Sequence, residues 1–203
     1  MLFRSHGKGV IVLTGHFGNW ELVARYGAEV QGLSLAVIGK RIRNSGLDKL
    51  VTEFRKQSGL EVIDRDDSPR RMLRHLSRGG FLGIVPDQDV DVLAGQFLPF
   101  FGRPAYTSTG PAALSIASGA PIVPVFLIRE GRGFRLECRP PIVPDPEAPR
   151  REEVARITRA WSDEMEAMIR RHPDHWTWFH RRWASTPESV ERKRQRYLRH
   201  RKE

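Results

Sequence analysis

Hydrophobic positions along the chain form short unbroken runs that alternate with stretches of helical spacing. Unbroken aliphatic runs are typical of strands buried on both faces of a sheet. The runs predicted as strands are residues 10–13, 33–38, 60–64, 81–85 and 121–128. The stretches with apolar residues every three or four positions, predicted as amphipathic helices, are 20–31, 45–58, 69–79 and 109–118. Strands separated by such helices imply right-handed crossovers and a largely parallel sheet.

The last third of the chain adds an edge strand and a long helix. Gly131 and Gly133 predict a hairpin that leads into an alternating strand at 134–139, which would run antiparallel to its neighbour. Apolar residues from Val154 to Ile169 predict a helix over about 151–171, ended by Pro173. We therefore expect an α/β fold with a mixed, mostly parallel sheet flanked by helices, in a single domain.

The regular pattern stops between residues 86 and 106, which predicts a long loop at the carboxyl end of a strand. Loops of this length are commonly functional. This one contains an acidic element that includes Asp87, and an aromatic segment at residues 97–101. Asp87 is expected either to cap its own loop or to bring a carboxylate to a site at the sheet edge.

Candidate chemistry lies where the first strand ends. Gly15 and Gly18 permit a tight turn around His16, which places the imidazole at the carboxyl edge of the sheet, where ligands bind in open α/β folds. Glu21 lies about one turn into the next helix, and its carboxylate is expected to reach back to the imidazole. A carboxylate on one ring nitrogen leaves the other free as a general base. The alternative is an ordinary structural histidine.

Composition narrows the possible partners. The chain has 203 residues and a net charge of +10, with arginine far more frequent than lysine. Because guanidinium groups bind phosphate bidentately, the candidate partners are phosphorylated lipids, an anionic membrane surface, an acidic carrier protein or nucleic acid. Compositional bias alone would also explain part of the excess. The sequence contains no zinc-finger spacing and no RNA-recognition aromatics, so no nucleic acid is expected.

Three further features of the sequence concern disulfides, membrane spans and the C-terminal tail. Cys138 is the single cysteine, which excludes a disulfide framework, and its alternating strand pattern predicts a small core residue. No run approaches the 18 or so apolar residues of a membrane span, so we expect an intracellular protein that meets a membrane from the side. Residues 188–203 form a basic tail with little apolar patterning, expected to be a solvated helix or a frayed end.

The string His16-Phe17-Gly18-Asn19-Trp20-Glu21 resembles the His-x4-Asp/Glu motif of the lysophospholipid acyltransferase-like superfamily. Its Gly-Asn-Trp-Glu version is similar to the branch that adds late lauroyl or myristoyl chains to lipid A. Four later blocks are similar to the same family, and together they span nearly the whole chain up to residue 187. These blocks are 59–65, 86–89 with its Pro-Asp-x-Asp element, 120–125, and 174–183 with its Trp-x-Trp-x-His-x-Arg-Trp signature.

The resemblance implies a glycerol-3-phosphate acyltransferase-like fold over residues 1–187, a single acyltransferase domain without the family's usual N-terminal membrane segment. It implies transfer of a fatty acyl chain from a thioester of acyl carrier protein or coenzyme A to a hydroxyl of a phosphorylated glycolipid. The expected acceptor is a lipid A precursor, with a mannosylated phosphatidylinositol as the close alternative. No metal and no further cofactor are expected. The expected location is peripheral, on the cytoplasmic face of the inner membrane. The alternative from another class is a truncated core that binds lipid or carrier protein without turnover.

The resemblance also implies roles for individual residues. His16 would be the general base and Glu21 its orienting carboxylate, while N–H groups around Gly18 and Asn19 would stabilise the oxyanion. Arg65 would hold the acceptor's phosphate. Lys40, Arg41 or Arg43 would assist Arg65 in binding phosphate, and the segment 97–101 would line the acyl slot. Asp87 would be the alternative second carboxylate near the site.

Overall fold

A six-stranded sheet forms the centre of the computed structural model, which describes residues 7–65, 69–89 and 94–200. Five neighbouring strands are parallel, and the sixth is antiparallel at one edge. The strands of this sheet are β1 (Val10–Leu13), β2 (Leu35–Gly39), β3 (Glu61–Asp64), β4 (Phe81–Ile84), β7 (Ile122–Glu130) and β8 (Gly133–Cys138). Their order across the sheet is β3-β2-β4-β1-β7-β8. The predicted mixed, mostly parallel sheet is confirmed.

Six α-helices connect or flank these strands in the part of the chain that the structure describes. They are α1 (Trp20–Arg25), α2 (Ser45–Gln57), α3 (Pro69–Ser77), α4 (Gly110–Ser118), α5 (Arg150–Arg171) and α6 (Pro187–His200). A π-helical turn, Tyr26–Val30, continues α1. The side chain of Asn19 caps α1 by accepting from the N–H of Leu22 at 3.0 Å.

The predicted long loop at 86–106 is wrong over most of its described length. Strands β5 (Gly95–Phe100) and β6 (Arg103–Ser108) form an antiparallel hairpin there, whereas residues 90–93 lie outside the described residues. Pro99 and Pro104 face each other in this ribbon. A two-stranded ribbon leaves one side of each strand unpaired, so a proline without an N–H is tolerated where a larger sheet would exclude it. That tolerance is why the prolines did not break the strands.

The two faces of the sheet are covered unequally. One face packs under α3, α4 and α5, with the large side chains of Leu76, Phe126, Trp161 and Met165 fully buried. The other face carries a smaller cluster, centred on valines from β1 and β7, that packs under α1. The thin cover on this second face leaves room for a cavity beside the carboxyl ends of the strands.

Some hydrophobic residues are not buried by this packing. Helix α2 has no buried residue, and Leu47, Leu50 and Phe54 expose about half or more of their surface. Cys138 lies exposed on the edge strand β8, so the prediction of a small core residue is wrong. An alternating strand buries one set of side chains only when a layer covers that face. Among the described residues, no helix combines the length and the apolarity needed to cross a bilayer.

Candidate active site

The register of β1 and β4 brings two side chains together at the sheet edge. These strands are parallel neighbours, with Leu13 opposite Ile84. His16 and Asp87 each follow the paired residue by three positions, so both lie just beyond the carboxyl ends of adjacent strands. Ligands bind at this edge in open α/β sheets.

The carboxylate of Asp87 holds His16 at two points. Its Oδ1 lies 2.8 Å from Nδ1 of the imidazole, and its Oδ2 accepts the backbone N–H of His16 at 2.9 Å. The indole Nε1 of Trp176 also donates to Oδ2, at 2.9 Å. Because a carboxylate can only accept, Nδ1 carries the ring proton and Nε2 keeps a lone pair for a substrate hydroxyl. The His16 side chain is 25% exposed, whereas that of Asp87 is fully buried.

The environment of Asp87 keeps its carboxylate charged. Burial by itself would raise the pKa of Asp87, but the hydrogen bonds and the charge of His16, together with the Trp176 hydrogen bond, outweigh burial and lower the pKa below its usual value. A charged carboxylate beside the ring stabilises the imidazolium that forms when His16 accepts a proton. The pair therefore has the arrangement of a general base and its counter-charge.

Glu21 does not occupy the position expected for the carboxylate that orients His16. Its Oε2 accepts from Nε of Arg55 on α2 at 3.1 Å, and its Oε1 contacts Nη2 of the same guanidinium. Asn19 starts α1, so Glu21 is the second helical residue and its side chain reaches α2. The expected Glu21–His16 pairing is therefore wrong, and Asp87 makes that contact. Glu21 and Arg55 both line the same cavity as His16.

The expected oxyanion donor at Gly18 is also wrong. The N–H of Gly18 donates to the carbonyl oxygen of His175 at 2.7 Å, so it is not available to a substrate. Gly18 adopts φ +55°, and a Cβ there would lie 2.2 Å from the carbonyl oxygen of Leu127. The glycine is needed for the turn and the close packing of this loop. Asn19 serves α1 as its cap, with its side chain bonded to Leu22.

The C-terminal segment 174–185 makes hydrogen bonds to the loop that carries His16 and to its neighbours. Thr177 donates its N–H and its hydroxyl to the carbonyl oxygen of His16, both at 3.0 Å. Further along, the buried guanidinium of Arg182 donates to the carbonyl oxygen of Tyr106 and to the hydroxyl of Thr107, both at 2.7 Å. Ser185 bonds the carboxylate of Asp89 through its N–H at 2.6 Å and its hydroxyl at 2.8 Å. The signature block noticed in the sequence therefore holds the loop that carries His16 through Thr177, and it bonds β6 and Asp89 through Arg182 and Ser185.

A cavity of about 930 Å³ opens beside His16 and runs along the thinly covered face of the sheet. Its walls are mainly aliphatic. They include Val10 and Val12 of β1, Leu35 and Val37 of β2, and Val123 and Val125 of β7, with Trp20 and Tyr26 near the opening. Segment 97–101, which the sequence predicts to line the acyl slot, does not line this cavity. Its aromatic residues pack elsewhere, for example Phe100 against Trp176 and Trp183.

The predicted phosphate ligands separate into two groups. Lys40 and Arg65 line the cavity at the carboxyl ends of β2 and β3. Arg41 instead donates to the Asp64 carboxylate at 2.8 Å, with its side chain 85% exposed, and Arg43 is exposed and is not part of the lining. Arg55 lines the cavity but was not among the predicted residues. In the sequence, Arg55 looks like any basic residue near the end of a surface helix, so no pattern singled it out.

The arrangement defines a class of site. An imidazole with a buried counter-charge borders a largely aliphatic cavity, and basic side chains line the same cavity. Such a site suits proton removal from a lipid-like molecule that carries anionic groups.

Comparisons with known proteins identify the family. The chain belongs to the bacterial lipid A biosynthesis acyltransferase family, whose model matches residues 2–185. It is 31% identical over 197 residues to a lipid A biosynthesis lauroyltransferase of Escherichia coli (strain K12), covering 92% of this chain and 60% of that protein. It is 25% identical over 183 residues to a phosphatidylinositol mannoside acyltransferase of Mycobacterium tuberculosis (strain ATCC 25618 / H37Rv), covering 88% of this chain and 56% of that protein. The chain thus spans less than two thirds of the relatives it matches, and the family predicted from the motifs is confirmed.

Proposed function

We propose that this chain transfers a fatty acyl group from a thioester to a hydroxyl of a phosphorylated glycolipid, with a lipid A precursor as the acceptor. The observation that carries the proposal is the His16–Asp87 pair at the mouth of the aliphatic cavity. The cavity suits the acyl chain, because each buried methylene contributes about 0.8 kcal/mol to binding. The basic side chains of Lys40 and Arg65 suit the acceptor's phosphate.

The chemical step needs one base and no enzyme nucleophile. Nε2 of His16 removes the proton of the acceptor hydroxyl while its oxygen attacks the thioester carbonyl carbon. The carbon–oxygen bond forms, the carbon–sulfur bond breaks, and the proton on His16 passes to the departing thiolate. The products are the ester and a free thiol. General base catalysis of this kind contributes about 10² to 10⁴ in rate.

The donor and the acceptor rest on different arguments. A net charge of +10 favours an acidic acyl carrier protein as donor over free coenzyme A. The family and the lauroyltransferase relative favour a lipid A precursor as acceptor, whereas the phosphatidylinositol mannoside acyltransferase relatives favour a mannosylated phosphatidylinositol. The exposed apolar residues of α2, beside Lys40 and Arg41, favour contact with an anionic membrane surface.

The test combines both donors with both acceptors. Purified protein is incubated with a donor whose acyl group is radiolabelled, either a thioester of acyl carrier protein or one of coenzyme A. Each donor is combined with lipid A precursor or with mannosylated phosphatidylinositol. We expect transfer to the lipid A precursor in wild type and its loss in His16→Ala. His172→Phe is the matched control, because His172 contacts Phe17 and His175 by its ring but does not line the cavity. Binding of donor or lipid without transfer in any combination would instead support a non-catalytic binding module.

A further inference from the structure

The loss of Gly18 as a donor leaves the thioester carbonyl oxygen without one of its two expected partners. Negative charge develops on this oxygen when the hydroxyl attacks, and enzymes stabilise it with donors already in place. The N–H of Gly18 is bonded to His175. We therefore expect a further donor among the groups close to His16.

His180 is such a group. Its ring centroid lies 6.3 Å from that of His16, and it packs edge-on against Trp176 at 4.6 Å. Both ring nitrogens are buried, and neither has a hydrogen-bond partner among the described residues. Buried polar atoms are nearly always bonded, so an unpaired imidazole beside a catalytic base calls for a ligand.

The surroundings of His180 indicate which ligand this is. His180 lines a second pocket of about 350 Å³, and Gln88 lines both this pocket and the large aliphatic cavity. Charged and polar side chains line the second pocket beside His180, namely Arg181, Lys193, Ser185, Ser189 and the acidic Asp89. An acyl thioester has the matching division: an apolar chain on one side of its carbonyl and a polar arm with amides and a phosphate on the other.

We propose that His180 donates a hydrogen bond to the carbonyl oxygen of the acyl thioester, and that the second pocket receives the polar arm of the donor. This inference rests on the proposed acyl transfer. His16 then removes the proton of the attacking hydroxyl while His180 stabilises the oxygen on which charge develops.

The protonation state of His180 is consistent with this role. Burial lowers the pKa of His180, and the positive charges of His16 and Arg182 lower it further, while Asp87 opposes them. A neutral ring at pH 7 has one N–H to donate, and its donation strengthens as negative charge develops on the substrate. A neutral ring also leaves His16 free to become charged without repulsion from a second imidazolium.

Two variants separate hydrogen bonding from packing. His180→Phe keeps an aromatic ring against Trp176 but removes the donor, and His180→Gln restores a side-chain N–H. We expect kcat to fall about 10² to 10³-fold in His180→Phe, with KM changed little, and to recover in part in His180→Gln. His172→Phe is the matched control and should keep wild-type kcat. An equal loss in the Phe and Gln variants, accompanied by a lowered Tm, would reduce His180 to a packing residue and overturn the proposal.

Binding of two unreactive donor analogues tests the contact without turnover. The ketone analogue of acyl-coenzyme A has a methylene in place of sulfur and keeps the carbonyl, whereas the thioether analogue lacks the carbonyl. Calorimetry should show that wild type binds the ketone analogue more tightly than the thioether analogue, and that His180→Phe binds the two with equal affinity. Arg181→Ala should lower the affinity for both analogues by the same factor if the second pocket holds the polar arm.

The outcomes distinguish the two proposals. If wild type transfers acyl groups but His180→Phe keeps both kcat and the ketone preference, the inference about His180 is wrong and the proposed function stands. If wild type binds neither analogue and transfers nothing, the proposed function fails, and the inference fails with it.

Discussion

Asp87 is the residue on which the geometry of the site depends most. Its two oxygens accept from the ring of His16, from the backbone of His16 and from the indole of Trp176. These contacts fix the tautomer of the base, the position of its loop and the contact with the C-terminal segment. Glu21, which the sequence favoured for this role, instead joins α1 to α2 through Arg55.

Asp87→Asn and Glu21→Gln should therefore have unequal effects on turnover. Asp87→Asn removes the charge that stabilises the imidazolium. Its amide can also turn the NH₂ group, which cannot accept a hydrogen bond, toward Nδ1 of the ring, so kcat should fall by about 10³ to 10⁴-fold. Glu21→Gln should lower kcat by less than about tenfold, because Glu21 does not contact His16. Steady-state kinetics on both variants measure this. A steep loss in Glu21→Gln with near-normal turnover in Asp87→Asn would return the orienting role to Glu21.

The lowered pKa of Asp87 also predicts how stability depends on pH. A carboxyl group whose pKa is lower in the folded state stabilises the fold above its unfolded pKa of about 3.9, and this contribution disappears as pH falls through the folded pKa. Wild type should therefore exceed Asp87→Asn in Tm at neutral pH, and the difference should shrink below pH of about 4. Thermal unfolding of both proteins between pH 3 and 7 measures the difference. A constant difference across this range would contradict the lowered pKa.

At the scale of elements, the unequal cover of the sheet creates the cavity. Helices α3, α4 and α5 close one face with large side chains, whereas α1 and its π-helical turn cover only part of the other. Strands β1 and β7 present valines to the open space, and a short branched side chain on a strand leaves volume in front of it.

Filling this space should change the acyl chain that the protein prefers. Val12→Phe adds a ring to the cavity wall, so long chains should lose buried methylenes, at about 0.8 kcal/mol or about fourfold in affinity for each one. The measurement is the ratio of kcat/KM for donors with 12, 14 and 16 carbons, which should shift toward the shorter chains. Val143→Phe is the control, because Val143 is exposed and does not line the cavity. The same shift in both variants would contradict the cavity as the acyl site.

At the scale of the whole molecule, the distribution of charge and of exposed apolar residues bears on membrane binding. The chain carries a net charge of +10, and α2 exposes Leu50 and Phe54. The described part of α6 is a solvated helix, with its residues exposed or half-buried, as the sequence predicted for the tail. Residues 201–203 of that tail lie outside the described residues.

This surface predicts binding to vesicles that depends on their charge. The protein should co-sediment with vesicles that contain an anionic lipid, bind neutral vesicles weakly, and lose binding as salt is raised. The double variant Leu50→Glu and Phe54→Glu should weaken binding by about tenfold or more, because it removes apolar area and adds repulsion. Val143→Glu is the matched control, because Val143 is exposed and lies outside α2. Unchanged sedimentation of the double variant would exclude α2 as the membrane contact.

The sequence by itself determined most of the elements, the family and the position of His16 at the edge of the sheet. Periodicity is a local property, so the strands, the helices and the glycine turn around His16 could be predicted from neighbouring residues. The motif string and the later blocks were sufficient for the family. The hairpin of β5 and β6 was missed because prolines oppose strands in most contexts, and only its two-stranded form tolerates them.

Only the tertiary structure decided which groups meet His16. The order β3-β2-β4-β1-β7-β8 makes β4 the neighbour of β1, and the register sets Leu13 opposite Ile84. Asp87 therefore reaches the imidazole from 71 positions away in the chain. Glu21, only five positions away, is the second residue of a helix, and its carboxylate contacts Arg55. Strand order and register arise from contacts between residues distant in sequence, and a local pattern does not carry that information.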